Sequence, residues 1–354
     1  MQESVPIPVV GLLPDTQTAS LLLSPKTKLQ LTFGIPVHTP ASDELLIKVH
    51  TDALNPIDWK IQDHGFFFTE KDYPLTLGCD VAGEVVGMGE GVDRERWKVG
   101  DRVISQAMPS TPRRGAFQQY MCFPADVIAK IPQSMTYAEA STLPLAFATA
   151  AVGLLAPEPI GAGLSPDLEV VRSEDQERKG QTALVLGGSS SVGQYDRNQV
   201  AFDELQEEIF KILLESSDVN SRDVDIVYDA VSTPQSQEAG FACLSPSGSR
   251  KGTLITVLPL CESLTSAMAA NDSEKEFSKR AFLVYAGVLA PTSHREFGRK
   301  MMRRLEEWLE SGEIRPNKPV VLPNGLNGIE EGLERLRRGE VSGEKLVVFP
   351  QNTH

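Results

Sequence analysis

The run ALVLGGSSSVG, residues 183–193, constrains this chain more than any other stretch. A short apolar strand runs straight into a turn of glycine and serine. Glycines permit positive φ and close backbone approach, and the first turn of a following helix offers unpaired N–H groups to an anion. Gly187, Gly188, Ser189, Ser190, Ser191, Val192 and Gly193 therefore read as a phosphate-cradling turn, with the serine hydroxyls as further donors. Such a turn can also do no more than join strand to helix tightly; the strand before it favours the nucleotide reading.

The segment beyond the turn is short for a nucleotide domain. The next credible strand starts at Val224, which leaves 30 residues, 194–223, dominated by one helical run, FDELQEEIFKILLESS. One strand–helix–strand step takes about 30 residues. In a dinucleotide-binding domain the acidic or basic group that selects the ribose stands about 20 residues past the turn, at a strand end. Here that distance falls inside the helical run, near Leu213 to Glu215. One step fits this space; two do not.

Bulk properties exclude several classes. A chain of 354 residues is expected to split into two domains. A formal charge of −14 opposes binding to nucleic acid or to an anionic membrane surface. No stretch approaches the ~20 apolar residues of a membrane span, and the first residues lack the basic start and apolar run of a secretory signal. Cys79, Cys122, Cys243 and Cys261 are widely spaced and form no CxxC pair, which is neither a disulfide framework nor a structural zinc pattern. The expectation is a soluble cytoplasmic protein.

Along the chain, residues 1 to about 130 read as short strands punctuated by turns, among them DELLIKVHTDAL, GCDVAGEVVGMG and WKVGDRVISQAM. SMTYAEASTLPLAFATAAVGLLA reads as helix interrupted near Pro144, and PEPIGAGLSPDLEVVRSEDQERKG as an exposed loop. VDIVYDAVS and GTLITVLPL match buried parallel strands. The tail holds an amphipathic helix with Phe297, Met301, Leu305 and Leu309 on one face, then two strands, KPVVLP and KLVVFP, around a second helix.

Taken in order, ALNPIDWK, LGCDVAGEVVGMGEGV, WKVGDRV, GAFQQY, AKIP, ALVLGGSSSVGQY, VDIVYDAV and GEVSGEKLVVFP resemble the zinc-independent medium-chain dehydrogenase/reductases. Within that superfamily the chain is similar to the quinone-oxidoreductase-like enzymes and the fungal trans-acting enoyl reductases of polyketide pathways. The implied fold is α/β: a GroES-like β domain built from both chain ends, 1–147 and 291–354, plus a Rossmann-type parallel-sheet domain, 148–290, lacking one βαβ step. The implied active site lies in the cleft between them. The resemblance implies NADPH with its phosphates on the glycine turn. The nicotinamide end would approach Asp58 in the NPIDWK segment, Thr149, Leu258 and Pro259, and Val341 and Ser342. It implies an enoyl, quinone or carbonyl substrate, walled by FATAAVG and VYAGV, and a polyketide synthase as partner. Relatives carry a long helix, a strand ending in the ribose-phosphate selector, another helix and a further strand after GGSSSVGQY, whereas this chain passes to DRNQVAFDEL, so no residue for the adenosine 2′-phosphate is carried over. A misassigned intron or splice variant accounts for this better than a compact fold, since losing a central strand exposes core and unpairs backbone groups. A non-catalytic remnant unable to bind cofactor is the rival reading.

The chemistry rests on the same segments. Zinc-dependent relatives have Cys where this chain has its NPID segment, His in place of Cys79, and a four-cysteine structural lobe; Cys79 alone builds no tetrahedral site, so no metal is expected, and a zinc alcohol dehydrogenase is the least favoured reading. Hydride delivery to a β-carbon builds enolate charge that needs a donor nearby. Lys60 matches a lysine of the enoyl reductases as cationic donor or proton relay, or is a surface lysine. Asn55 fixes the turn before Pro56 or contacts ligand. Asp58 orients Lys60 or cofactor, or is a helix-start carboxylate. Tyr120, Cys243 and Cys261 read as packing residues, and His64 as a loop side chain.

Overall fold

The structure is a computed structural model. It describes residues 13–108, 113–168, 182–188, 190–193, 224–245, 252–271, 279–287 and 292–354. The chain forms two compact units, Met1–Leu145 with Gly287–His354, and Ala146–Ala286. The sequence reading sets those junctions at 147/148 and 290/291.

The first unit opens with β1 (Thr16–Leu22), β2 (Gln30–Pro36) and β3 (Glu44–Ala53), then α1 (Pro56–His64) and β4 (Leu75–Thr76). Next come β5 (Asp80–Met88), β6 (Arg102–Gln106), β7 (Tyr120–Pro124), β8 (Ala129–Lys130) and the short α2 (Tyr137–Ser141). Within WKVGDRVISQAM only RVISQ becomes a strand. Trp97 instead buries its ring in the connection, and Gly100, at φ +95°, turns the chain into β6.

The helix α3 (Pro144–Leu155) carries the chain into the second unit. Its proline sits at the start, where no N–H is needed. Its residues are apolar all round, as a buried helix requires. The segment after it departs from the exposed loop expected there. Ala162, Gly163 and Leu164 donate to the carbonyls of Gly153, Ala156 and Leu154, so the chain folds back and satisfies the otherwise unpaired end of α3. Leu168 is buried; the rest of that loop, 169–181, lies outside the described residues.

The second unit then runs β9 (Ala183–Leu186), β10 (Ile226–Asp229), α4 (Pro234–Ala242), β11 (Gly252–Thr256), α5 (Glu262–Asn271) and β12 (Lys279–Leu283). Among the described residues its sheet has the order β12-β11-β10-β9, all parallel, with Tyr228 paired to Val185 and Ile255. Val227, Leu244, Leu254 and Leu264 form its core, with Leu184 and Leu186 packed against it. Every residue of β10 and β11 is buried, whereas every residue of β9 is half-buried. The expected loss of a βαβ step falls on residues 194–223, outside the described residues.

The chain returns to the first unit with α6 (Thr292–Ser311), β13 (Lys318–Val321), α7 (Ile329–Arg337) and β14 (Glu344–Val348). Phe297, Met301, Leu305 and Leu309 of α6 are all buried, as their spacing requires. Arg295 of the same helix grips both carboxylate oxygens of Asp126 at 3.0 and 3.1 Å. The main sheet of this unit has the order β13-β14-β3-β5-β6-β8, with β7 also on β3. β14 lies parallel to β13 and antiparallel to β3, so residues near both ends of the chain share one core: Leu22, Leu54, Ile61, Leu75, Leu333 and Leu346.

Candidate active site

In the second unit the glycine turn leaves the carboxyl end of β9. Gly187 has φ +79°, and a Cβ built there would lie 2.7 Å from a Val231 methyl. At Gly193 a Cβ would lie 2.4 Å from the Gly187 carbonyl oxygen. Only glycine fits either place. Ser190 donates its N–H to the Gly187 carbonyl at 2.8 Å, and its hydroxyl accepts the Gly193 N–H at 3.1 Å. Gly188, Ser191 and Val192 share this turn, residues 191–193 with helical backbone; Ser189 lies outside the described residues. Crowded on its inner side and free of bulk, the turn fits the phosphate half of a dinucleotide. The position about 20 residues past the turn, near Leu213 to Glu215, lies outside the described residues.

The loops after β10 and β11 lie at the same end of that sheet. Asp229 is fully buried and accepts the N–H groups of Val231 at 3.0 Å and Ser232 at 2.8 Å, so Val231 is thrown outward. Leu258 is half-buried and Pro259 exposed, in the loop after β11. Thr149, on α3, is half-buried and accepts the Tyr228 hydroxyl on its carbonyl at 2.8 Å. In parallel sheets the carboxyl ends of the strands are where ligands bind.

In the first unit, β3 ends at Ala53 and α1 begins with Pro56. Asp58 Oδ2 accepts the Asn55 N–H at 2.8 Å, and its Oδ1 accepts the Gly78 N–H at 3.2 Å. Its carboxyl is fully buried and joins the helix start to the GCD segment. Asn55 is equally occupied. Its Nδ2 donates to Ala53 O at 3.1 Å and Asp80 Oδ2 at 2.9 Å, and its Oδ1 accepts from the Lys345 ammonium. Lys345 is also 3.0 Å from Asp80 Oδ2. Two of the alternatives left open by the sequence thereby acquire a geometry: Asn55 and Asp58 are turned into the protein, and Asp58 braces the start of α1.

Asp52, Asp58 and Asp80 are three buried carboxyls sharing one buried ammonium. The arrangement is stable only if some of them hold protons. Burial, and after it the neighbouring Asp80, pushes Asp58 up to about 7, against the pull of its two N–H donors and Lys345. Asp52 is pushed well above the carboxylate range by burial, then by Asp58 and Asp80. Neither of its oxygens makes a hydrogen bond among the described residues. Cys79, also buried, has its thiol pushed well up by the same burial and carboxylates. No group of three or more His, Cys, Asp or Glu side chains among the described residues has metal-binding geometry.

Lys60 lies one residue past Trp59 on α1, half-buried, its ammonium 5.5 Å from the centre of the Trp59 ring. Burial lowers its pKa, and no ion pair reaches it among the described residues. In a chain with 48 acidic side chains against 34 basic ones, an unpaired, partly desolvated lysine is unusual for a surface residue. Val341 packs against the core beside α7, while Ser342 is exposed. Tyr120 is buried on β7, and Cys243 and Cys261 are half-buried. His64 closes α1, its ring 6.1 Å from that of Trp59. Sequence reasoning passed over Asp52, Asp80 and Lys345 as individual residues. The signal was a charge inside an apolar strand: Asp80 opens DVAGEVVGM, and Lys345 interrupts EKLVV.

Residues 41–133 match the model of the alcohol dehydrogenase GroES-like domain. "Trans-enoyl reductase apdC" of Emericella nidulans is 28% identical over 351 residues, covering 95% of this chain and 98% of that protein. "Dehydrogenase pigH" of Monascus ruber is 40% identical over 164 residues, 45% of this chain, and the match spans only 42% of that protein. An alcohol dehydrogenase superfamily protein from Novosphingobium aromaticivorans has the same fold, with TM-score 0.70 and 21% identity over 94% of this chain and 99% of that one. No helix among the described residues is long and apolar enough to cross a membrane. Oxidoreductases of this kind generally use nicotinamide cofactors. The GroES-like domain match, the whole-length likeness to a fungal trans-enoyl reductase and the shared fold together support a place for this chain among the medium-chain dehydrogenase/reductases, near the fungal trans-enoyl reductases.

Proposed function

We propose that this protein is an NADPH-dependent reductase that delivers hydride, without zinc, to the β-carbon of an enoyl thioester or to a quinone. The observation that carries the reading is Lys60: half-buried, with a pKa lowered by burial and no carboxylate partner among the described residues, on a helix whose start is braced by Asp58. Bound NADPH supplies the hydride. The chain supplies the rest. Gly187, Gly188 and residues 190–193 would cradle the phosphates, and Leu258, Pro259 and Thr149 would face the nicotinamide end. The Lys60 ammonium donates a hydrogen bond to the carbonyl oxygen as negative charge builds there, and a lowered pKa eases release of its proton toward the α-carbon. Asn55 and Asp58 hold the helix that carries Lys60 and do not touch the substrate.

The whole-length likeness to a trans-enoyl reductase supports an enoyl thioester presented by a polyketide synthase in secondary metabolism. The test is a fluorescence titration of NADPH into the purified chain, followed by turnover of the crotonyl thioester of pantetheine and of 1,4-benzoquinone. Micromolar binding with turnover of the thioester is expected. No binding by this chain, and binding once a relative's segment is inserted after Gly193, would instead identify a reductase remnant that has lost its cofactor site.

A further inference from the structure

Gln237 stands in the first turn of α4, and its side chain is buried. Its Nε2 donates to the carbonyls of Ser232 and Pro259, each at 3.0 Å, and its Oε1 accepts the Cys261 N–H at 2.8 Å. A primary amide has two protons to give and an oxygen to receive with, and all are in use. One side chain thus ties the loop after β10 to the loop after β11.

Two neighbours complete the tie. The Ser232 hydroxyl donates to Asp229 O at 2.6 Å and accepts the Val257 N–H at 2.8 Å. To do so Ser232 takes φ +57°, a left-handed conformation costly for a residue with a Cβ. The Thr256 hydroxyl donates to Leu258 O at 2.8 Å. Val257, Leu258, Pro259 and Cys261 are therefore each pinned by a side chain that is itself buried. A loop that only connects a strand to a helix needs no such holding, since loops are ordinarily the mobile part of a fold. Satisfied buried polar groups make a segment rigid.

We propose that Gln237 is a positioning residue that fixes the backbone of Leu258 and Pro259 where the nicotinamide end of the cofactor is received. This rests on the reductase reading above. Gln237 touches no reacting atom; it acts through the loop. Displacement of a binding loop by about 1 Å costs on the order of a hundredfold in rate where geometry controls the reaction.

Gln237→Met removes every polar contact at nearly constant length, and Gln237→Glu keeps the acceptor while losing both donors. Amide hydrogen exchange of residues 257–261 is expected to rise at least about tenfold in both variants, with β10 and β11 still protected. The kcat with NADPH and crotonyl-pantetheine is expected to fall about ten- to a hundredfold while the NADPH Kd stays within about threefold. Unchanged exchange in 257–261 overturns the proposal. So does a faster-exchanging loop with wild-type kcat, or a kcat loss that merely follows lost folded protein. If the wild type itself neither binds NADPH nor turns over thioester, the reductase reading fails, and the exchange comparison alone then decides whether Gln237 holds the loop.

Discussion

Replacing Lys345 by methionine should unfold the first unit far more easily, by an amount that the geometry sets. The ammonium and the Asp80 carboxylate lie 3.0 Å apart with side chains 5% and 0% exposed, and the same ammonium serves Asn55 Oδ1. Methionine fills the space of the stem but leaves a carboxylate in a dry site with no cation. Removing one partner of a buried ion pair costs about 3–5 kcal/mol, largely the penalty of the charge left behind. The freed Asn55 oxygen adds about 1 kcal/mol at least. These costs overlap, so the expected loss is about 4 kcal/mol at pH 8. That is a large part of the 5–15 kcal/mol that ordinarily separates folded from unfolded domains. The assay is urea denaturation followed by tryptophan fluorescence. Trp59, Trp97 and Trp308 all belong to the first unit, so the signal reports on that unit alone. At a slope of about 2 kcal/mol per molar urea, the midpoint should fall by about 2 M. Lys345→Met combined with Asp80→Asn removes the stranded charge and should recover more than half of the loss. A single variant that loses under about 1 kcal/mol, or a double variant as unstable as the single, would refute the argument that the pair is desolvated.

The remaining predictions concern protons, the glycine turn and Lys60. With Asp58 at about 7 when folded and 3.8 as its ordinary value, the folded chain holds a proton that the unfolded chain has released between those pH values. This contribution to stability is therefore full below about pH 4 and is lost as pH rises through 7, at up to about 1.4 kcal/mol per pH unit. Asp58→Asn should flatten that part of the stability–pH curve, read by the same tryptophan signal; an unaltered slope would place the proton elsewhere. Gly193→Val drives a side chain into the Gly187 carbonyl and should weaken NADPH binding at least about tenfold, while urea denaturation of the first unit stays as in the wild type. Lys60→Met should lower kcat about a hundredfold with the NADPH Kd nearly unchanged, and Lys60→Arg should keep part of the rate. Equal loss of kcat in Lys60→Arg and Lys60→Met would leave no role for the cation.

Local order was legible in the sequence because local forces dictate it. The stripe Phe297, Met301, Leu305, Leu309 marked α6, and β-branched runs marked β10 and β11. The glycine turn was legible for a related reason: Gly193 is demanded by a contact only six residues back, at Gly187. The folding back of residues 157–168 onto α3 was not, because its bonds are backbone groups that carry no residue-specific signal. Nor was the company of Asn55. Its partners stand 25 and 290 positions away, brought alongside by the pairing of β3 with β5 and β14. Asp58 shows the intermediate case. A carboxylate three residues past the N-cap already reads as a helix brace, but its second bond, to Gly78, depends on the sheet.

The placing of β14 between β13 and β3 has a consequence for synthesis. Residues 146–286 are complete as a set while the ribosome is still making the tail, so the second unit can fold on the growing chain. The first unit cannot. Its helix α1 emerges early, yet the cation that pairs with Asp80 and holds the Asn55 cap is residue 345. Until that strand is released, Asp80 lacks its cation and Asn55 Oδ1 lacks its donor. A message cut short anywhere before this strand therefore yields a product in which Asn55, the cap of the helix that carries Lys60, lacks its cationic partner. In this chain the last strand to be made is the one that arms the first helix.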